Sequence, residues 1–174
     1  MNDATTYTDE IVTELEAVKN ELIQLLSSFS PEQINTVPSD GAWSPAQVGH
    51  HLYKSYKGLP QLLNASTKDT ERDPAENISR IKNDLLNFQT KLKAPDFIVP
   101  ELKIYDKELL LNNLINALSS LTNLAKSLDL TQTCTAFALP VYGKMTRLEW
   151  LYFVICHTKR HNHQLRNMAQ EMAR

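Results

Sequence analysis

The chain has 174 residues, 42% hydrophobic and 22% charged, with four Gly and eight Pro; that is the size and composition of one helix-biased globular domain, so a single domain over 1–174 is expected. A formal charge of −2 argues against the basic surface that a nucleic acid or an anionic membrane demands, so neither is an expected partner. Two cysteines, Cys134 and Cys156, make no disulfide framework; the start MNDATTYTDE lacks signal-peptide character, and the apolar run 150–156 is too short to span a bilayer, so the expected location is the cytoplasm.

In chain order, Ile11, Leu15, Val18, Leu22, Leu25, Leu26 and Phe29 recur at three- and four-residue spacing and predict a first helix over 7–29 with one buried stripe. Ser30-Pro31-Glu32-Gln33 reads as a short helical turn, and 37–41 as a loop. Ser44, with Pro45 behind it and Gln47 three residues on, forms a capping box for a second helix whose expected inner stripe is Val48, His51, Ser55, Leu59 and Leu62. Pro74 opens a third helical segment through Ile78, Ile81, Leu85, Phe88 and Leu92. The span 93–105, interrupted by Pro95 and Pro100, is an extended connection. Leu110, Leu114, Ala117, Leu121, Leu124 and Leu128 mark a fourth helix over 106–128. A connection over 129–144 then leads to a terminal helix over 145–174, capped by Thr146 with Glu149 three residues later. The expectation is an all-α four-helix bundle with an additional short helix and long connections, some of which join parallel neighbours.

All five histidines lie in the second and terminal helices: His50, His51, His157, His161 and His163. His157 and His161 are about one turn apart, so their rings leave one face roughly 6 Å apart along the axis. His51 lies on the expected inner face of the second helix. Neutral imidazole is the common nitrogen ligand for zinc, nickel and iron, and three histidines leave open positions for water or substrate. His50 and His163 fall about 100° and 200° around their helices from the nearest of these and read as outer-face residues. The competing reading is a solvated basic helix end in HTKRHNHQLR, which leaves His51 unexplained.

The segment Trp43-Ser44-Pro45-Ala46-Gln47-Val48-Gly49-His50-His51-Leu52 resembles the W-S-x-x-[EQ]-x-x-x-H-L motif of the DinB-like superfamily of bacterial metal-binding four-helix bundles. The terminal GKMTRLEWLYFVICHTKRHNHQL is similar to that family's second motif, with Trp150 ahead of His157, Arg160 and His161. The resemblance implies a bundle, often homodimeric, whose divalent ion is held by His51, His157 and His161; in the family the histidine before Leu is the ligand, which selects His51 over His50. It also implies small-molecule partners. Family members include transferases and isomerases that use low-molecular-weight thiols such as bacillithiol or mycothiol, and metal-dependent hydrolases.

Gln47 and Gln164 lie near the ligand faces, where they either orient imidazoles and bound water or pack at the core edge. Arg160 either attracts an anionic substrate or makes a surface ion pair. Trp43 and Trp150 read first as packing anchors and second as substrate platforms, and Cys156 points about 100° away from its neighbour His157. No acid sits beside the histidine pair as H-E-x-x-H requires, and Glu149 reads as a cap. The leading expectation is a metal-dependent thiol S-transferase acting on small electrophiles. The alternatives are a hydrolase with the same site or a non-catalytic metal-binding or stress-response module.

Overall fold

The computed structural model describes residues 4–39 and 41–173, the side chains of 4–6 excepted; Met1 to Asp3, Asp40 of the expected loop and the terminal Arg174 lie outside them. The helices are α1 (Ala4–Ser28), α2 (Pro45–Tyr56), α3 (Leu59–Asn64), α4 (Ile78–Leu86), α5 (Lys107–Ser127) and α6 (Arg147–Met172), with short helical turns at Gln33–Asn35 and Asp96–Ile98. Two strands of two residues each, β1 (Thr67–Lys68) and β2 (Thr133–Cys134), pair antiparallel with Thr67 opposite Cys134.

The bundle is made of α1, α2, α5 and α6, and the principal helix contacts run around a ring in the order α1, α5, α2, α6, while α4 packs outside on α6. Side-chain pairs fix the directions. Glu10 meets Tyr152, Glu14 meets Lys159 and Glu21 meets Arg166, so α1 and α6 run parallel. Lys107 donates to the Ser27 and Phe29 carbonyls while Lys19 reaches Ser119, so α1 and α5 are antiparallel. His51 meets His157 while Tyr56 reaches back to Val154, so α2 and α6 are antiparallel as well. It follows that α2 and α5 are parallel neighbours, joined by the long crossover 57–106. The core between them is aliphatic: Ile11, Leu15, Leu22, Leu26, Leu52, Leu114, Leu118 and Leu121 are all fully buried.

Both capping boxes form as their sequences require. Ser44 Oγ accepts from Gln47 N, and Gln47 Oε1 accepts from Ser44 N at 2.9 Å. Thr146 and Glu149 repeat the pattern at the start of α6. Each box satisfies two helix N–H groups that would otherwise be orphaned.

Two expected helices differ. The second breaks after Tyr56 and resumes as α3, because Pro60 lacks an N–H and its ring would meet the Tyr56 carbonyl in a continuous helix. The buried row is therefore Val48, Leu52, Tyr56, Leu59 and Leu63 beside His51, with Ser55 and Leu62 only partly buried. The third helix ends at Leu86 instead of running to Leu92: Asn87 leaves the helical region at ψ 90°, and Phe88 stacks on the His163 ring at 4.2 Å. No helix among the described residues is long and apolar enough to cross a membrane.

Candidate metal centre

His51 leaves the inner side of α2, seven residues after its cap, and meets His157 and His161 from the middle of α6. Their Nε2 atoms converge. His157 Nε2 lies 3.1 Å from His51 Nε2 and 3.1 Å from His161 Nε2, and the three ligand atoms all lie within 4.8 Å of one another. The rings are buried, 2% exposed for His51 and 8% for each of the others. Nitrogens bound at ~2.0–2.1 Å around one tetrahedral ion stand ~3.3 Å apart, close to the two 3.1 Å separations from His157.

The opposite ring nitrogens show why Nε2 faces the centre. His51 Nδ1 lies 3.0 Å from the Ile98 carbonyl and His161 Nδ1 lies 2.8 Å from Gln164 Oε1. A carbonyl oxygen only accepts, so both Nδ1 atoms carry the proton and both Nε2 lone pairs are free. His157 Nδ1 faces the Tyr56 hydroxyl at 3.3 Å. Lone pairs converging on one point in a buried site repel one another, and a cation is the species that turns the arrangement favourable.

Burial keeps these imidazoles uncharged. It is the largest cause for each: His51 is lowered, His157 is pushed well below its ordinary value with the neighbouring histidines adding to the effect, and His161 is pushed down to about 3. A ligand that stays neutral remains a ligand, so the donor set fits a divalent ion.

The other residues singled out in the sequence divide. Gln164 reaches a triad ring. Gln47 does not, since its amide completes the α2 capping box and donates to the Glu101 carbonyl at 3.4 Å. Arg160 is turned toward the end of α4, where it donates to the carbonyls of Leu85, Asn87 and Thr90. His50 Nε2 stands 3.1 Å from Glu101, whose carboxyl is held down to about 2 by Lys54 and Lys103. Trp43 lies beside the His51 ring at 5.1 Å, and Trp150 is buried against Phe153, whose own ring lies 5.5 Å from that of His157. Burial pushes the Cys156 thiol up to about 11.

Three contributors carried no reading in the sequence. Ile98 acts through its backbone, and a carbonyl leaves no residue-type signature. Tyr56 stands at regular four-residue spacing with Val48 and Leu52, which marks it as a core residue and gives no sign that its hydroxyl reaches His157 on another helix. Arg72 forms a bidentate pair with the fully buried Glu149 and so fixes the start of α6 beneath the site.

The DinB superfamily model matches residues 14–165. The uncharacterised protein YuaE of Bacillus subtilis strain 168 is 26% identical over 150 residues, covering 86% of this chain and 91% of that protein. Among solved structures, YfiT of Bacillus subtilis matches with a TM-score of 0.63 at 20% identity, covering 95% of this chain and 87% of that one; it is described as a probable metal-dependent hydrolase with an unusual four-helix bundle topology. At that identity the likeness establishes the fold.

Proposed function

The chain belongs to the DinB superfamily, and from that footing we propose that it is a divalent-metal enzyme that transfers a low-molecular-weight thiol to small electrophiles. The observation that carries the metal site is the convergence of His51, His157 and His161 through Nε2. An ion held there supplies Lewis acidity, which lowers the pKa of a thiol or water ligand. Zinc, nickel and ferrous iron all suit three imidazoles.

The chain's own residues favour the thiol. Among the described residues the cluster consists of histidines alone, with no carboxylate in it to accept a proton. A thiol ionises near 8.5, about 7 units below water, so it needs far less help from a base to become a nucleophile. Ile98 and Gln164 hold two of the rings in the ligating tautomer, and Phe153 and Trp43 supply apolar surface beside His157 and His51. The hydrolase alternative rests on the description of YfiT and on the same three ligands. The homodimer belongs to this proposal too, and light scattering measures it.

Two measurements test the reading. Metal analysis of purified wild type and of His51→Ala, His157→Ala and His161→Ala is expected to show an ion in the first and its loss in the others; unchanged content in all three variants sinks the site. Consumption of a reactive electrophile is then followed with and without bacillithiol, glutathione or coenzyme A. Dependence on added thiol supports the transferase, and equal turnover without it supports the hydrolase. Chelation that unfolds the protein while no electrophile is consumed assigns the ion a structural role.

A further inference from the structure

Two of the three histidines face partners that can only accept a hydrogen bond, but His157 faces a hydroxyl, which can donate or accept. Its tautomer is therefore decided by where the Tyr56 proton goes. As a phenol, Tyr56 keeps its hydrogen at neutral pH. It has three acceptors within reach: Thr158 Oγ1 at 2.8 Å, the Val154 carbonyl at 3.3 Å and His157 Nδ1 at 3.3 Å.

Thr158 resolves the choice. Its hydroxyl stands 2.8 Å from the Val154 carbonyl, one turn back along α6, and must be the donor there because a carbonyl has no hydrogen to give. With its only hydrogen committed, Thr158 Oγ1 can only accept from Tyr56, and that bond is the shortest open to the phenol. Tyr56 Oη is then left with lone pairs facing His157 Nδ1, which must supply the hydrogen. The chain of donors runs one way: His157 Nδ1–H to Tyr56, Tyr56 to Thr158, Thr158 to the Val154 carbonyl.

We propose that Tyr56 and Thr158 are positioning residues that lock His157 in its Nε2-ligating tautomer, with Thr158 acting through Tyr56 although it touches no ligand ring. The chain ends on a backbone carbonyl, so it orients the imidazole and offers no exit for a proton. All of its members are buried, Tyr56 and Thr158 completely, so water does not substitute for a lost partner. The inference rests on the metal reading of the triad and adds two residues to it.

The test is zinc affinity, measured by competition with a chromogenic chelator, for wild type, Tyr56→Phe, Thr158→Val, Thr158→Ser and the double variant. Loss of a histidine's outer partner lowers metal affinity by about 10–100-fold, and Tyr56→Phe is expected in that range. Thr158→Val removes the phenol's nearest acceptor and leaves its hydrogen to divide between the Val154 carbonyl and His157 Nδ1, both at 3.3 Å, so zinc is expected to weaken in the same direction but by less, while Thr158→Ser keeps the hydroxyl and the affinity. If Thr158 works through Tyr56, the double variant binds no more weakly than Tyr56→Phe alone. Thermal melts of the metal-free proteins show which variants fold; should Tyr56→Phe fail, the valine and serine substitutions at 158 decide. Wild-type affinity in Thr158→Val, or losses that simply add in the double variant, overturns the relay and leaves the triad standing. A wild type that binds no zinc, nickel or iron overturns the metal reading and this inference together.

Discussion

Replacing Arg72 by Met is expected to unsettle α6 from its first turn. Glu149 is fully buried, and its carboxylate takes two hydrogen bonds of 2.7 Å from Arg72, one of 2.8 Å from Asn77 N and one of 2.9 Å from Thr146 N. Burial alone would raise this carboxyl, but the guanidinium and the two backbone donors together hold it below its ordinary 4.5. Removing one partner of a buried pair costs ~3–5 kcal/mol. Arg72 keeps 30% of its side chain exposed and two N–H donors remain on the carboxylate, so the lower end, about 3 kcal/mol, is expected. In a domain of this size each kcal/mol moves the midpoint by ~2–4 °C, which gives a fall of about 6–12 °C by far-UV circular dichroism at neutral pH. The pH dependence carries a sign. A carboxyl lowered in the fold contributes stability that is present above 4.5 and lost as pH falls through its folded value. The gap between wild type and Arg72→Met is therefore widest at neutral pH and narrows in acid. A shift of less than about 1 °C, or a gap constant across that range, refutes the reasoning.

Gly49→Ala tests a close approach between helices of the bundle. A Cβ there would stand 3.2 Å from Leu110 Cδ2 and from Leu26 Cδ1; overpacking of ~1–3 kcal/mol then outweighs the helix-propensity gain of up to ~1, so a lower denaturant midpoint is expected and an unchanged or higher one shows that the leucines yield. Gln164→Leu removes the acceptor for His161 Nδ1 and is expected to weaken zinc about 10-fold or more. His163→Ala, one residue away but stacked on Phe88, is expected to leave zinc affinity unchanged, and competition titrations of both variants check the contrast.

The features legible in the sequence are those that one side chain announces. Ser44 with Gln47 and Thr146 with Glu149 name their own capping partners, and the four-residue spacing of His157 and His161 fixes a shared face whatever the rest of the fold does. Helix length was less legible, since Phe88 and Leu92 continue the apolar period of α4 while the chain turns away after Leu86. That outcome depends on Arg160 taking up the carbonyls of Leu85, Asn87 and Thr90, a partner 70 residues or more distant. The least legible part is the outer ring of the site. Ile98 contributes a backbone carbonyl from a connection whose path is set by tertiary contacts, and the role of Tyr56 emerges only once α2 is packed against Val154, His157 and Thr158 of α6.

The ring order of the helices explains why the outer partners come from where they do. Because α2 runs antiparallel to α6 and is only 12 residues long against 26, about 18 Å against about 39 Å, it faces only part of that helix. His51 consequently meets α6 near its middle, beside His157 and His161, and not at a helix end. A helix that short cannot enclose the site by itself. The connection after α4 completes the enclosure: the Arg160 guanidinium ties down 85–90, and Lys54 donates to the Val99 carbonyl at 2.9 Å. Those anchors present the Ile98 carbonyl to His51, leaving Tyr56 and Gln164 to serve the two rings on α6. The three ring orientations are thus set by three separate parts of the chain, α2, α6 and the crossover, so the donor set is preorganised by packing that exists before any ion arrives.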